Sequence, residues 1–254
     1  MRVLTWNVNG LRAALKKGVE AHLEKIDPDV VLLQEVRALV DQLPSGWSLK
    51  KPWTAHWNPA QKLGWSGTAT WSRKPLELLG VGFEGTDLDG RILRTRVGDW
   101  DLINVYLPSG SAGPERQAMK EEWIAKLLPW AKQFAESPRP TLLCGDLNIA
   151  HTAKDVWSPS RAAKLSGFLP HEREWFTQFL ASGWTDSLRE HLPGQQGPYT
   201  WWSNLGRAKA EDRGWRIDYV LANAAGQGRV RSVSVNREAG IAVSDHAPVI
   251  VDLD

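Results

Sequence analysis

Apolar positions along the chain fall into short runs and one-sided stripes, and these predict a mixed order of strands and helices. Residues 2–8 read as a strand. From Gly10 to Ile26 the residues Leu11, Leu15, Val19, Leu23 and Ile26 recur on one face, which predicts an amphipathic helix. Asp27-Pro28 stops it, because the residue before a proline is pushed out of helical geometry. The run from Asp29 to Glu35 is short and apolar, as in a strand buried on both faces. Residues 91–97 and 100–106 are two strand patterns joined by Gly98-Asp99, a hairpin signal. Pro114 to Ala135 reads as a helix and Thr141 to Gly145 as a strand. Residues 150–170, with Pro159, Gly167 and Pro170, read as a long loop, followed by a helix at 171–182. Strands are expected at 215–222, 230–236 and 247–253; were Trp201 and Trp202 simply to alternate in a strand, at least one ring would face the core.

Strands interspersed with helices, with no Pro/Gly/Ser linker, low-complexity tract or repeat, argue for one domain over 1–254. The antiparallel hairpins argue against a simple Rossmann arrangement; two sheets packed face to face, with helices outside, fit better. The 42% hydrophobic content of 254 residues is enough to fill a large core. The net charge of +2 says little, since an acidic pocket and a basic face cancel in the sum. The local distribution says more. No acidic residue lies between Gln42 and Leu76, while Lys50, Lys51, Lys62, Arg73 and Lys74 are interleaved there with Trp47, Trp53, Trp57, Trp65 and Trp71. Cations mixed with aromatic rings suit a polyanion with stackable bases; a solvated rim with inward tryptophans would look the same. The lone Cys144 sits in an apolar run and reads as a buried thiol. No leader peptide or membrane-length apolar run is evident, so a reducing, cytoplasmic setting without membrane contact is expected.

Acid and amide side chains recur at strand ends: Asn7 and Asn9, then Gln34-Glu35, Gly145-Asp146-Leu147-Asn148, Ile217-Asp218-Tyr219 and Ser244-Asp245-His246. Any one of these is an ordinary turn or cap. Together they form the set that phosphodiester hydrolysis needs. Carboxylates such as Glu35 and Asp146 can hold a hard cation and activate water. Amides such as Asn7 and Asn148, and the imidazole of His246, can steady charge at phosphorus without adding negative charge. An aspartate beside a histidine, here Asp218 or Asp245, raises its pKa and orients it.

In this order, Trp6-Asn7-Val8-Asn9-Gly10-Leu11-Arg12, Leu33-Gln34-Glu35, Cys144 to His151, Gly214-Trp215-Arg216-Ile217-Asp218-Tyr219 and Ser244 to Pro248 resemble the successive signatures of the exodeoxyribonuclease III / apurinic-apyrimidinic (AP) endonuclease family, within the endonuclease/exonuclease/phosphatase superfamily. The match spans residues 5 to 253. The resemblance implies a four-layer α/β sandwich of two mixed sheets flanked by helices, like pancreatic deoxyribonuclease, with the site at one edge where the sheets meet. It implies Mg²⁺, with Mn²⁺ able to substitute, as one or two ions. It implies roles as well. Glu35 is the principal metal ligand, with Asn7 at the phosphate and the metal's water shell. Asp146 aligns and activates water, and also belongs to the metal set. Asn148 orients that water, His246 meets the phosphate with Asp218 behind it, Asp245 tunes the metal, and Tyr106 contacts phosphate. For DNA binding it implies Trp65 and Ser66 in a backbone-gripping loop. Trp201, Trp202 and Trp215 would wall a pocket for a flipped-out abasic sugar, with one or two of the three rings lining it. Ser109, Arg12 and Arg207 are further candidate contacts.

The implied activity is cleavage of double-stranded DNA 5′ to abasic sites, with 3′–5′ exonuclease and 3′-phosphodiesterase activity at 3′ ends. The protein would be a monomer, nucleoid-associated if bacterial. Two positions depart from the family pattern. Asn9 stands where some members carry aspartate, which leaves the metal count open. Ser109 stands where many carry a longer amide, so a phosphate contact there is shorter or water-mediated. Other phosphoesterases of this fold, acting on inositol phosphates, sphingomyelin or RNA, share the same acid and amide set. The Trp-Arg-Ile-Asp-Tyr segment and the Trp201-Trp202 pair favour DNA over them. A non-catalytic DNA-damage binder should have lost one of Glu35, Asp146, Asn148, Asp218 or His246, and all are present. The excess among the fifteen tryptophans has no functional account.

Overall fold

The computed structural model describes residues 1–254 apart from Gly46. In chain order the elements are β1 (Arg2–Asn7), α1 (Leu11–Lys16), α2 (Val19–Ile26), β2 (Val30–Gln34), β3 (Thr54–Asn58), β4 (Thr68–Ser72), β5 (Glu77–Val81), β6 (Ile92–Val97), β7 (Trp100–Tyr106), α3 (Pro114–Ala135), β8 (Thr141–Asp146), α4 (Pro159–Ala162), α5 (Pro170–Ala181), β9 (Trp184–Asp186), α6 (Ser187–His191), β10 (Asp218–Asn223), α7 (Ala224–Gln227), β11 (Val230–Val235), α8 (Arg237–Val243) and β12 (Val249–Leu253). They build two six-stranded sheets, ordered β11-β12-β1-β2-β4-β3 and β5-β6-β7-β8-β10-β9. Each sheet has one parallel pair at its centre, β1 with β2 and β7 with β8, and antiparallel strands outside it.

Alternation along the strands explains the layering. Val3, Val30 and Leu32 of the first sheet meet Leu102, Leu142, Cys144 and Val220 of the second in a core between the sheets. The intervening residues Leu4, Trp6, Val31 and Leu33 face the other way and pack under α1, α2 and α8. On the far side, Ile103, Val105, Leu143 and Tyr219 pack under α3 and α5, against Ile124, Leu127, Phe176 and Phe179. The result is the expected four-layer sandwich of two mixed sheets flanked by helices. Cys144 lies in the central layer, where burial pushes its thiol far up and leaves it unreactive.

Several boundaries differ from expectation. The helix expected over 10–26 is two helices, because Gly18 adopts a left-handed conformation (φ 79°) that breaks the register. The strand expected at 215–222 begins only at Asp218; ahead of it Trp215 makes isolated bridges to Val156 and Trp201. The 150–170 loop contains a 3₁₀ turn at Ala153–Asp155 and the short helix α4. The basic, tryptophan-rich stretch supplies β3 and β4, which the hydrophobic pattern did not reveal. Trp71 is buried, and Trp47, Trp53 and Trp57 pack onto the same core, so these four rings turn inward while the lysines around them stay exposed.

Candidate active site

The C-terminal ends of the two central parallel pairs meet at one edge of the sandwich. Asn7 ends β1 and Glu35 follows β2; Tyr106 ends β7 and Asp146 ends β8. Gly145 makes this possible: a Cβ there would sit 2.0 Å from the Val105 carbonyl oxygen, so only glycine lets β8 approach β7 just before the aspartate. Asp218 opens β10 directly across from Asp146 in the ladder, and His246 precedes β12.

Asn7 is the hinge of the cluster. Its amide nitrogen donates to Glu35 Oε1 at 3.0 Å and to Asp146 Oδ2 at 2.9 Å, bridging one carboxylate from each sheet. Its amide oxygen accepts the Asn9 N–H at 3.0 Å. The carboxamide thus links the two acids and keeps its oxygen on the backbone. The Tyr106 hydroxyl donates to Glu35 Oε1 at 2.6 Å. Burial, then the charges of Glu35 and Asp146, raise the Tyr106 pKa well above its ordinary value, so the phenol keeps its proton. Glu35 Oε2 is buried and accepts no hydrogen bond among the described residues; the Arg37 guanidinium forms an ion pair with it.

Asp146 Oδ1 accepts the Asn148 N–H at 2.8 Å, and Oδ2 accepts the Asn148 amide at 3.1 Å. The Asn148 amide also reaches the Leu107 carbonyl at 2.9 Å. Burial raises the Asp146 pKa, opposed by His246 and reinforced by Asp218 and Glu35. His246 Nδ1 lies 2.9 Å from Asp218 Oδ2, and its Nε2 lies 3.9 Å from Asp146 Oδ2. Burial disfavours the charged imidazole, yet Asp218, then Asp146 and Asp245, outweigh it and raise its pKa to about 10. That balance favours the charged ring, whose Nε2 lies on the Asp146 side. Asp245 is held apart, accepting from the Asn9 amide at 2.8 Å and from the Trp201 indole at 3.4 Å, and its carboxyl sits below its usual range despite its burial.

Ligand atoms of Asp146, Asp218 and His246 all lie within 4.8 Å of one another, a cluster that could hold a metal ion. Asp218 is already engaged by the imidazole. The Glu35 and Asp146 carboxylates, joined through the Asn7 amide, form a second, all-oxygen pair, which suits a hard divalent cation.

Two cavities flank these groups. One, of about 450 Å³, lies on the Asn148 side and is lined by Asn148, Gly167, Leu169, Trp201, Trp215 and Ile217. Trp201 and Trp215 meet edge-on there, 6.2 Å apart. The other, of about 330 Å³, lies on the Glu35 side and is lined by Trp65, Ser66 and Tyr106 with three arginines, Arg37, Arg91 and Arg116. Ser109 borders both, its hydroxyl 2.9 Å from that of Ser111.

Trp202 is a correction. It is fully buried, its indole donating to Asp212 Oδ1 at 2.9 Å, and it belongs to the core rather than to either cavity. Arg12 is exposed on α1, and Arg207 is exposed and paired with Glu211; neither lines a cavity. The three arginines escaped the sequence reading. Arg37 stands two residues after Glu35, a spacing that could have been noticed. Arg91 is buried beneath the Tyr106 ring, 4.9 Å from its centroid, and Arg116 stacks 4.8 Å over Trp65. Only the fold brings those two to the site.

An acid, amide and imidazolium set at the seam of two mixed sheets defines the class: a hydrolase of phosphoester bonds. The profile of the Endonuclease/Exonuclease/phosphatase family matches residues 4–246, and the chain belongs to that family. It is 35% identical to an exodeoxyribonuclease of Bacillus subtilis, covering 98% of both chains. It is 36% identical to the DNA repair nuclease APEX1 of Danio rerio, over 100% of this chain and 82% of that one. Among solved structures it resembles the 3′–5′ exonuclease NExo of Neisseria meningitidis, with a TM-score of 0.88 and 30% identity over the whole of both chains.

Proposed function

We propose that this chain is a Mg²⁺-dependent nuclease of DNA repair. It cleaves the phosphodiester 5′ to abasic sites in duplex DNA and also trims 3′ ends. The observation that carries the reading is a buried acid and histidine cluster whose neighbour Asn148, bonded to Asp146, lines an apolar, tryptophan-walled cavity. A sugar that has lost its base is small and fairly apolar, and such a cavity suits it once it has flipped out of the helix. Glu35 and Asp146 would hold Mg²⁺, with Asp245 tuning the charge around them, and Mn²⁺ would be tolerated. The bound cation neutralises charge on the phosphoryl oxygens and the leaving alkoxide.

The chain's own residues do the rest. Asp146, its proton affinity raised by burial, takes a proton from the attacking water, and the Asn148 amide orients that water. His246, oriented by Asp218, donates from Nε2 to a non-bridging phosphate oxygen. Tyr106 and Asn7 keep the Glu35 carboxylate in one orientation. The products are a 3′-hydroxyl and a 5′-deoxyribose phosphate. The protein would act as a monomer in the cytoplasm, on the nucleoid if bacterial; no helix among the described residues is long and apolar enough to cross a membrane.

Two labelled duplexes test this, one with a single abasic-site analogue and one undamaged with a recessed 3′ end, each with and without Mg²⁺. A metal-dependent nick 5′ to the lesion and a ladder on the second duplex are expected. Asp146→Asn should lower kcat by several orders of magnitude while DNA binding survives. If no divalent metal supports cleavage of either duplex, the reading fails and another phosphoester is the substrate.

A further inference from the structure

Among the buried charged pairs that the mechanism above leaves unused, one touches Asn148. Lys120 on α3 and Glu172 in the first turn of α5 lie 2.6 Å apart, with side-chain exposures of 1% and 0%. Burying two charges is costly, and a well-packed apolar pair often does as well for stability. What the pair touches is more informative than its presence. The Lys120 ammonium donates to the backbone carbonyl of Asn148 at 2.7 Å. Asn148 has a left-handed backbone (φ 51°), a conformation in which a side-chain-bearing residue must be held by its surroundings. The other oxygen of Glu172 accepts the N–H groups of Gly167 at 2.7 Å and Leu169 at 3.0 Å. Both of those residues line the tryptophan-walled cavity, and a Cβ at Gly167 would come within 2.9 Å of the Asn148 carbonyl oxygen and 3.2 Å of the Trp215 ring.

We infer that Lys120 and Glu172 are positioning residues. The pair locks the strained Asn148 backbone to the wall of the sugar cavity, so that the amide aimed at Asp146 and the wall that seats the substrate are set by one rigid unit. The inference deepens the nuclease reading and rests on it for the role of Asn148, but the lock itself is a statement about geometry. It also separates two jobs within the pair. The lysine holds Asn148, and the glutamate holds the loop.

Lys120→Met alone would strand a buried carboxylate and could fail to fold. The double variant Lys120→Met/Glu172→Gln removes both charges, while the glutamine oxygen can still accept from Gly167 and Leu169. Two measurements are made on it. The first is the NMR signal of the Asn148 side-chain amide in protein labelled at asparagine, which needs no activity and therefore decides the lock even if the nuclease reading fails. The signal should shift or broaden in the variant while the His246 ring signals stay in place; an unchanged Asn148 signal overturns the inference. The second is kinetics on the abasic duplex in a cycle with Asn148→Ala. The charge-neutral variant should lose roughly ten- to hundredfold in kcat, as a slight misplacement of a reacting group does, with KM within about twofold. In the Asn148→Ala background the same change should cost nothing further, because Lys120 acts through that residue. Losses that multiply would mean that the pair acts elsewhere, and would overturn it.

Discussion

The two cavities beside the buried carboxylates are built from opposite chemistry. The one next to Asn148 is walled by Trp201, Trp215, Leu169 and Ile217 and presents shape and apolar surface. The one next to Glu35 is walled by Arg37, Arg91 and Arg116 around the hydroxyl of Ser66, which is buried and has no hydrogen-bond partner among the described residues. A phosphodiester strand crossing the site would meet both. The apolar side can tell a bare sugar from a nucleotide, whereas the cationic side sees only phosphate, which every DNA has. Recognition of damage and grip on the strand would thus be divided between the two cavities.

The sharpest way to break this division is Trp215→Ala. It should lower kcat/KM on the abasic duplex by up to about a hundredfold, the scale of losing an aromatic stacking wall, and cost severalfold or less on the recessed 3′ end. Equal losses on both duplexes would show that the tryptophan wall does not discriminate. Arg116→Ala comes next. Its guanidinium, stacked on Trp65 and paired with no carboxylate among the described residues, should reach a backbone phosphate common to both substrates. Binding of both duplexes should weaken by about the same factor, with the slope of log affinity against log salt falling by about one. A loss confined to the abasic duplex would move Arg116 into lesion recognition.

The smallest effect on activity is expected behind the apolar wall. Asp155 anchors the 150–158 loop through buried Arg216 at 2.7 Å and through Arg189. Burial alone would raise its pKa, but those two arginines hold it down at about 2. Its pKa in the unfolded chain is about 3.9. Its contribution to stability is therefore complete above that value and is lost as the pH falls from about 4 to about 2. Asp155→Asn should cost about 3 kcal/mol at neutral pH, change kcat little, and flatten the acid limb of unfolding free energy within that window. An acid limb identical to that of the unaltered protein would remove Asp155 from the acid response.

Some of this was legible in the chain itself. The candidate catalytic groups sit in contiguous runs at strand ends, so Glu35, Asp146, Asn148, Asp218 and His246 could be read together with the strands that carry them. The β6–β7 hairpin and α3 announced themselves by turn chemistry and length. What escaped depends on contacts distant in sequence. Trp201 and Trp202 are adjacent and chemically alike, and only the packing decides that one walls a cavity while the other bonds Asp212 in the core. Arg116 reaches the site because α3 starts beside it, and the β3–β4 edge carries too mixed a pattern to declare itself. The break at Gly18 needed a backbone angle that residue type alone does not dictate.

The place of β12 has a consequence for how the molecule comes into being. This strand lies between β11 and β1, so the first strand lacks a partner on that flank until nearly the whole chain has been synthesised. His246 arrives with it. A nascent or prematurely terminated chain ending before residue 240 would carry Glu35, Asp146 and Asn148 yet lack the imidazolium and the strand that closes the first sheet. Such fragments would lack one part of the candidate active site and the strand that positions it.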